Sequence, residues 1–325
     1  MARIRSPRRG SMQFWPRKRA KKPFARVRTW VTTKDVKPLG FAGYKVGMTH
    51  LIYTDAKKTS QTKGEDIFCP VTVLECPPLK VIGYQAYQDD VYGKKTIASG
   101  IVNATKDLER RFKTKKKEIK FDDAKLEKAF DVRLIVQTQP SMTGIGKKKP
   151  DIFEMGIGGS DLKARIDYAK SMIGKDIRAA DVLAENQLVD THAITKGRGT
   201  QGPVKRFGVA IRQHKAEKTK RGPATLGPWH PHHGNYTVPH AGKMGYHQRL
   251  QINKWVMKIS NDLKSINPNG GWIGYGAIKN DYILIKGSLD GPVKRLVRMT
   301  MPRRIVKNRQ ETAPEIQYLS VRSKQ

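Results

Sequence analysis

Histidine is concentrated in one short stretch of the chain, residues 227–249, which read GPWHPHHGNYTVPHAGKMGYHQR. The stretch contains five of the eight histidines in the sequence, namely His230, His232, His233, His240 and His247. Clustered imidazoles bind transition metals, transfer protons in catalysis, or contact a ligand as flat hydrogen-bonding rings. The residues around the histidines decide among these uses.

A metal or catalytic site needs partners that this stretch lacks. Metallo-hydrolases with a His-x-His-x-Asp-His run use a carboxylate as ligand, base or orienting group. Between Glu217 and Asp262 the sequence contains no acidic residue, and the nearby Lys and Arg would repel a divalent cation. The two cysteines, Cys69 and Cys76, lack a zinc-binding spacing and are expected to be small buried hydrophobes. We therefore predict no metal, no cofactor and no catalytic residue.

The composition of the whole chain favours a polyanionic ligand. Its 325 residues include 64 Lys and Arg against 28 Asp and Glu, a formal net charge of +36. Such an excess repels itself in a compact fold, and nucleic acid relieves the repulsion. A membrane partner would need a basic amphipathic helix or an apolar span, and the sequence shows neither. Two cysteines in a chain of this length are typical of a reducing compartment.

The excess charge lies mainly in two segments. Residues 1–34 contain twelve Lys and Arg and no acidic residue. Residues 192–250 contain eleven Lys and Arg and one acidic residue, Glu217. Neither segment has the hydrophobic period of a helix or a strand. We therefore expect residues 1–34 and about 200–248 to be disordered without RNA.

RNA is the polyanion that these segments suit best. In the first segment the aromatic residues Phe14, Trp15, Phe24 and Trp30 alternate with the cations. Cations contact phosphates, and flat rings stack on unpaired bases. The alternative is a solvated tail with a few of its aromatic rings packed onto the body. In the second segment frequent glycines allow the backbone to approach a polyanion closely. Neutral histidine rings and Trp229 add further stacking surfaces.

The remaining sequence predicts a mainly β body with an α+β insertion. Short strands with Gly-rich turns occur before residue 81 and after residue 184, a pattern that favours a small closed barrel. Between residues 81 and 184, acidic and basic residues nearly balance and helices are predicted. The strongest helix covers residues 160–173, with Ser160 as its N-cap and Gly174 beyond its end.

Three local features carry weaker predictions. Residues 107–113 and 123–130 are candidates for short helices. A hairpin is predicted from Tyr282–Ile285 and Val293–Met301 around a turn at SLDG. The sequence GIGGS at 156–160 precedes a helix, as phosphate-binding loops do, but it has neither the dinucleotide-binding nor the P-loop spacing.

One segment carries a specific pattern. From Leu183 the chain reads LAENQLVDTHAITKGRGTQGPVKR. This resembles the signature of the universal L-three family of large-subunit ribosomal proteins. The residues that agree with the signature are Leu183, Asp190, Ala193, Thr195, Gly197, Arg198, Gly199, Gly202 and Arg206. The stretches SPRRGSMQFWPRKRA and GYKVGMTH and the histidine-rich stretch are similar to archaeal and eukaryotic members, so the resemblance covers essentially the whole chain.

The resemblance implies a fold and a role. The fold would be a six-stranded β-barrel of the translation-protein type, with a long basic N-terminal arm, an α+β insertion and a long internal loop. The partners would be the 23S ribosomal RNA and neighbouring large-subunit ribosomal proteins, in a cytoplasmic ribosome, without a membrane, a small-molecule substrate or a homo-oligomer. The arm and the loop would reach toward the peptidyl-transferase centre, with Trp229 nearest the aminoacyl-tRNA entry region, and the family acts early in subunit assembly. Lys220 stands where eukaryotic relatives carry a modifiable His, so that modification is expected to be absent.

These inferences define domains and candidate RNA contacts. The predicted segments are a basic N-terminal extension (1–36), a first part of the barrel (37–80), an inserted α+β domain (81–184) and a second part of the barrel (185–325) that contains the RNA-penetrating extension at about 197–249. The predicted RNA-binding residues are Arg8, Arg9, Trp15, Arg17, Lys18, Arg19, Lys196, Arg198, Lys205, Arg206, Arg212, His214, Lys218, Lys220, Arg221, Trp229, His230, His232, His233, His240, Lys243, His247 and Arg249.

Two other classes of function fit the charge but not the remaining features. An RNA-modifying or RNA-cleaving enzyme would need an acid–base pair or a cofactor pocket in the basic loop, which holds one acid. A basic chromatin protein would not need an insertion of this size or a glycine-rich loop, and would not carry the signature. The interpretation is therefore a structural ribosomal protein.

Overall fold

Strands form most of the regular structure, as the runs of Val, Ile, Tyr and Phe predict. The computed structural model describes residues 8–102, 105–111, 119, 121–216, 218–230, 232–306 and 312–322. In chain order the strands are β1 (Gly40–Thr54), β2 (Asp66–Glu75), β3 (Leu79–Asp90), β4 (Gly93–Ile101), β5 (Asp131–Gln137), β6 (Ile152–Gly156), β7 (Asp176–Ile177), β8 (Leu188–Ile194), β9 (Gly197–Gln201), β10 (Gly242–Gly245), β11 (Gln248–Ser260), β12 (Tyr282–Lys286), β13 (Leu296–Thr300) and β14 (Glu315–Leu319).

The helices are short. The α-helices are α1 (Asp123–Glu127), α2 (Leu162–Met172), α3 (Ala179–Val182) and α4 (Pro203–Phe207). Short 3-10 helices cover Met12–Phe14, Lys106–Arg110 and Pro140–Met142. Both short helices predicted in the insertion therefore exist in part, although residues 112 and 113 lie outside the described residues. Within the described part of the chain, no helix is long and apolar enough to cross a membrane.

The chain divides into two compact units. The larger unit consists of Pro23–Ala193 and Arg249–Gln325, and the smaller unit consists of Met1–Lys22 and Ile194–Gln248. The smaller unit corresponds closely to the two segments of high charge density. The second of these segments, residues 192–250, shows no hydrophobic period but contains regular structure, namely β9, α4 and β10.

A seven-stranded sheet dominates the larger unit. Its strand order is β13-β8-β11-β12-β2-β1-β14, and β1 also pairs with β13. Strand β1 is long enough to serve two neighbours in turn, because Gly40–Tyr44 pairs with β13 and Leu51–Thr54 pairs with β14. Most buried apolar side chains of this sheet belong to one large hydrophobic cluster. Cys69 and Cys76 lie in that cluster as free, buried residues, which confirms their predicted packing role.

The predicted α+β insertion contains a second sheet. Its order is β4-β3-β5-β6, with β7 paired to β3, and α2 contacts β5. The predicted helix exists but begins later, because Asp161 rather than Ser160 is the N-cap and accepts the amide hydrogen of Lys163 at 3.2 Å. Both residue types cap helices well, so the sequence does not discriminate between adjacent positions. Gly174 follows the helix with a φ of 80°, which a residue with a Cβ adopts less easily.

The predicted C-terminal hairpin is wrong. Both strands exist as β12 and β13, but β12 pairs with β11 and β2, whereas β13 pairs with β1 and β8. The connection between them is anchored by Lys45, whose Nζ donates to the carbonyl oxygens of Leu289 at 2.6 Å and Gly291 at 3.2 Å. Strand β13 is buried throughout and β12 is buried except at Lys286, so each needs hydrogen-bond partners on both edges, and other strands of the sheet supply them.

The GIGGS sequence has a packing role. The amide of Gly158 donates to Lys37 O at 2.8 Å, and that of Gly159 donates to Thr33 O at 2.9 Å. A Cβ on Gly158 would lie 2.1 Å from Thr33 Oγ1, so the close approach of the two segments requires glycine. These two amides are already bonded within the protein and are therefore not available to a phosphate.

The second half of the predicted RNA-binding arm packs into the larger unit. Phe24 is buried against Phe153, with ring centroids 6.1 Å apart, and Trp30 packs partly buried against the same cluster. The Arg298 guanidinium lies 4.2 Å from the Phe153 centroid and donates to Ala25 O at 3.0 Å. The prediction that Phe24 stacks on RNA is therefore wrong, because alternation of rings with cations does not show which rings are buried.

Candidate nucleic-acid interface

The base of the basic loop is a small, glycine-dependent scaffold. Strands β9 and β10 pair antiparallel, with Gly245 opposite Gly197. Gly245 has a φ of 76°, and a Cβ there would lie 1.9 Å from the carbonyl oxygen of Lys196. Helix α4 starts with Pro203 at a position that needs no amide hydrogen and is ended by Gly208 with a φ of 70°. These turns hold the two ends of the loop together.

Arg206, the last residue of the signature, braces this scaffold. Its Nε donates to Lys243 O at 3.0 Å and its Nη1 donates to His240 O at 2.9 Å. Partial burial lowers the pKa of its guanidinium. A Cβ on Gly242 would lie 2.8 Å from Arg206 Nη1, so the glycine provides the space for this side chain. Arg206 therefore has two hydrogen-bond acceptors inside the protein, an internal role that the sequence-based prediction of RNA contact did not include.

The N-terminal arm packs on the loop through an aromatic cluster. The Trp15 and Phe207 rings stack with centroids 5.6 Å apart and 18° between their planes. The Arg17 guanidinium lies 4.6 Å from the Phe207 centroid and 5.2 Å from the Trp15 centroid, and Tyr236 meets Trp15 edge-on at 6.1 Å. A Cβ on Gly10 would lie 2.5 Å from the Phe207 ring. We call Trp15, Arg17, Phe207 and Tyr236 the arm–loop cluster.

Phe207 is the residue that sequence reasoning missed. Its side chain is buried at the centre of the arm–loop cluster. The surrounding segment shows no period, so the pattern gave no reason to expect a core there. A glycine directly after it, at the end of a Pro-initiated turn, was the available signal of a short helix that could carry a buried ring.

Hydrogen bonds to backbone carbonyl oxygens continue the contact between arm and loop. The Ala20 amide donates to Tyr246 O at 2.8 Å, and His247 Nδ1 donates to Lys18 O at 2.8 Å. Near the start of the described chain, Arg8 Nη2 donates to Thr237 O at 2.7 Å. His247 is buried, so the structure gives it a role in tying the two segments together.

The tip of the loop presents its rings to solvent. Trp229 is 79% exposed, and its ring meets His232 edge-on with centroids 5.3 Å apart. The His230 and His232 rings are 4.6 Å apart, and His232 adopts a φ of 62°. Among the described residues, no group of three His, Cys, Asp or Glu side chains is placed as metal ligands would be. The exposed rings remain available for stacking.

The other predicted contacts form an exposed cationic surface. Arg212 is exposed but also holds the loop together, since its Nη2 donates to Pro223 O at 3.1 Å and Ala224 O at 3.2 Å. The exposed side chains among the predicted residues of the smaller unit are Arg8, Arg9, Lys18, Arg19, Lys196, Arg198, Lys205, Arg212, His214, Lys218, Lys220, Arg221, Trp229, His230, His232, His233, His240 and Lys243. The described residues of this unit include no Asp or Glu, because its one acid, Glu217, lies outside them. Arg249 belongs to the larger unit, where partial burial lowers its pKa.

Comparison with known proteins identifies the family. The sequence model of the family described as "Ribosomal protein L3" matches residues 1–325. The chain belongs to the ribosomal protein L3 family. This membership confirms the resemblance carried by the signature, and it makes the chain a ribosomal protein rather than an enzyme.

Curated relatives match over nearly the whole chain. The large ribosomal subunit protein uL3 of Methanobrevibacter smithii is 44% identical, over 100% of this chain and 99% of its own length. The protein of the same name from Methanothermobacter thermautotrophicus is 43% identical over the same shares. The one from Methanococcoides burtonii is 46% identical over 94% of each chain. These relatives are archaeal, as the sequence predicted.

Proposed function

We propose that the chain is a structural constituent of the large ribosomal subunit that binds 23S ribosomal RNA directly through its smaller unit. The observation that carries this proposal is a folded unit whose described residues contain no carboxylate and whose cations are mostly exposed. A protein that binds no polyanion would gain nothing from such a surface, because like charges repel each other across it. The relatives, named large ribosomal subunit proteins, support the same subunit.

Within this unit the proposal assigns different roles to different residues. Exposed cations along the loop neutralise phosphates, and the rings at Trp229, His230, His232 and His233 stack on bases or bond to 2′-hydroxyls near the peptidyl-transferase centre. Residues that bond inside the protein, such as Arg206 and His247, act by holding the surface in shape. Phosphate contacts then supply the affinity that supports early subunit assembly.

The proposal also covers the domain organisation. We propose that β13, β8, β11, β12, β2 and β1 form the six-stranded barrel that the family resemblance implies. The pairing of β1 with both β2 and β13 supports closure of the ring. The barrel would be contributed by residues 37–80 and 185–325, with residues 81–184 inserted and residues 197–249 as the RNA-penetrating extension. In the extension at 1–36, the part up to Lys22 would contact RNA and the rest would join it to the body. The site of action would be the cytoplasmic ribosome, with neighbouring ribosomal proteins as further partners and no homo-oligomer.

Salt dependence of RNA binding tests this function. Binding of the full chain to 23S ribosomal RNA is measured by sedimentation across a salt series. Several phosphate contacts predict a log–log slope steeper than about −3. A shallower slope, or a failure to co-sediment at low salt, would contradict direct binding through this surface.

A matched pair of variants locates the contacts. One variant changes to Ala five exposed cations of the smaller unit that are not braces: Arg198, Lys205, Lys218, Lys220 and Arg221. The control changes to Ala five exposed lysines of the larger unit: Lys95, Lys128, Lys148, Lys163 and Lys264. Each lost phosphate contact flattens the slope by about 0.7 to 0.9, so the first variant is expected to flatten it more than the control. If both variants flatten the slope equally, the phosphate contacts are not concentrated in the smaller unit, and this part of the proposal is wrong.

A further inference from the structure

One face of the seven-stranded sheet presents an apolar row to solvent. Phe68 of β2, Ile52 of β1 and Tyr318 of β14 are directly opposite one another in the antiparallel register, so their side chains project from the same face. Phe68 is 63% exposed and Tyr318 is 42% exposed. Leu51 and Cys69, which alternate with them, are buried on the opposite face. The strands therefore have one face in the core and one apolar face toward solvent.

The row continues along β1. The His50 ring lies 4.7 Å from the Phe68 ring and 6.3 Å from the Tyr318 ring, between centroids. Met48, two residues before His50, is 44% exposed. Strand β14 is last in the strand order, and no strand within the described ranges pairs with its outer edge. We call Phe68, Ile52, His50 and Tyr318 the apolar row.

The border of the apolar row is acidic. Asp66 and Glu315 are both in register with Thr54, one on each side, and both are exposed. The Thr54 hydroxyl donates to Asp66 Oδ1 at 2.9 Å, and Gln317 Nε2 donates to Thr54 Oγ1 at 3.3 Å. A phosphate backbone along this border would be repelled, whereas Lys and Arg side chains would be attracted.

We propose that the apolar row, bordered by Asp66 and Glu315, is a docking surface for a neighbouring ribosomal protein with apolar and basic side chains. The inference rests on the proposed function, since it takes the partner from the same large subunit. The partner's apolar side chains contact the row, and its Lys or Arg side chains meet the two carboxylates. Exposed apolar patches with a polar rim are typical of protein interfaces. The charge at the border selects a basic protein over RNA.

Cross-linking from the apolar row in assembled subunits tests the proposal. The Phe68→Cys variant of the full chain is labelled with benzophenone maleimide, incorporated into large subunits, purified on a gradient and irradiated. Cys69 and Cys76 are buried, so the label goes to position 68. The expected product is a cross-link to a peptide of another ribosomal protein, identified by mass spectrometry. A Gln61→Cys control, at an exposed turn outside the row, is expected not to give that product.

A charge-reversal arm tests the chemistry of the partner. Adding Asp66→Lys and Glu315→Lys to the Phe68→Cys variant is expected to lower the yield of that cross-link several-fold, with an unchanged melting temperature because both positions are exposed. An unchanged yield would overturn the basic partner. Subunits that contain the chain but give a cross-link to RNA, or none at position 68, overturn the docking surface alone. A chain that never enters large subunits refutes the proposed function and this inference with it.

Discussion

Phe207→Ala should release the N-terminal arm from the loop in the free protein. The substitution removes a buried ring that stacks on Trp15 at 5.6 Å and carries the Arg17 guanidinium at 4.6 Å. Burial of a Phe side chain contributes about 1.5–3 kcal/mol, an aromatic pair about 0.5–1.5 kcal/mol, and an exposed cation–π contact about 0.5–1 kcal/mol. Since Trp15 and Arg17 are only half-buried, we sum the lower ends of these ranges, which gives about 2.5 kcal/mol, or on the order of a 100-fold change in the opening equilibrium.

Amide hydrogen exchange at Ala20 measures this opening. Its amide donates to Tyr246 O at 2.8 Å, a bond that joins arm and loop directly. In the wild-type chain without RNA we expect protection at Ala20, and in Phe207→Ala we expect exchange to be faster by about 100-fold or protection to be lost. Lys205→Ala, an exposed position on the same helix, is the control and should leave the exchange rate unchanged.

Two results would refute this reasoning. If the Ala20 amide exchanges without protection in wild-type protein, the arm is disordered before RNA binds, as the absence of a hydrophobic period predicts. If Phe207→Ala and Lys205→Ala exchange alike, the arm–loop cluster does not hold the arm. In the first case, order in this unit would have to come from RNA, and in the second case, other contacts within the unit would have to hold the arm.

Three further perturbations have defined outcomes. Trp229→Ala should leave incorporation into large subunits unchanged on a gradient, because one stacked ring contributes only about 1–3 kcal/mol among many phosphate contacts. It should nevertheless alter peptide-bond formation or sensitivity to drugs of the peptidyl-transferase centre. Loss of incorporation would contradict the separate roles proposed for the ring at the tip and the cations along the loop. Burial is the main cause, and the nearby Arg298 cation the second, of a pKa of about 4 for His192, so the folded state favours the neutral ring. The contribution of this neutral ring to the free energy of unfolding is fully present above the unfolded pKa of about 6.5. It is lost as the pH falls toward 4. Urea titrations should show a free energy of unfolding that falls less over this window in His192→Gln than in wild type, and parallel curves would refute it. Glu75→Ala should lower the free energy of unfolding by about 3 kcal/mol in the same titrations, because it leaves the amides of Lys279 and Asn280 without their shared acceptor. A change below about 1 kcal/mol would show that water replaces the carboxylate.

The sequence alone determined the features that depend on residue type and local order. The signature from Leu183 to Arg206 identified the family, and segregation of charge into residues 1–34 and 192–250 located the smaller unit in outline. Most strands of the body were also predicted, because alternation of apolar residues is a local property of the chain. Burial of the two cysteines followed from their types and the absence of a metal-binding spacing.

Only the tertiary structure decided which distant residues meet. Local pattern predicts that β12 and β13 are strands, but it does not predict their partners, which are β11 and the remote β2 for β12, and the remote β1 and β8 for β13. The same limit applies to Phe207. Its side chain is buried against Trp15 and Arg17, which belong to the other chain segment of the smaller unit. The limit applies to the apolar row as well, since Phe68 and Tyr318 become neighbours only through their common register with β1. A residue's type determines which contacts it can make, and the pairing of remote segments determines which contacts it does make. The reason is that side chains interact only within a few ångströms, and the separation of two residues along the sequence does not predict their distance in the folded chain.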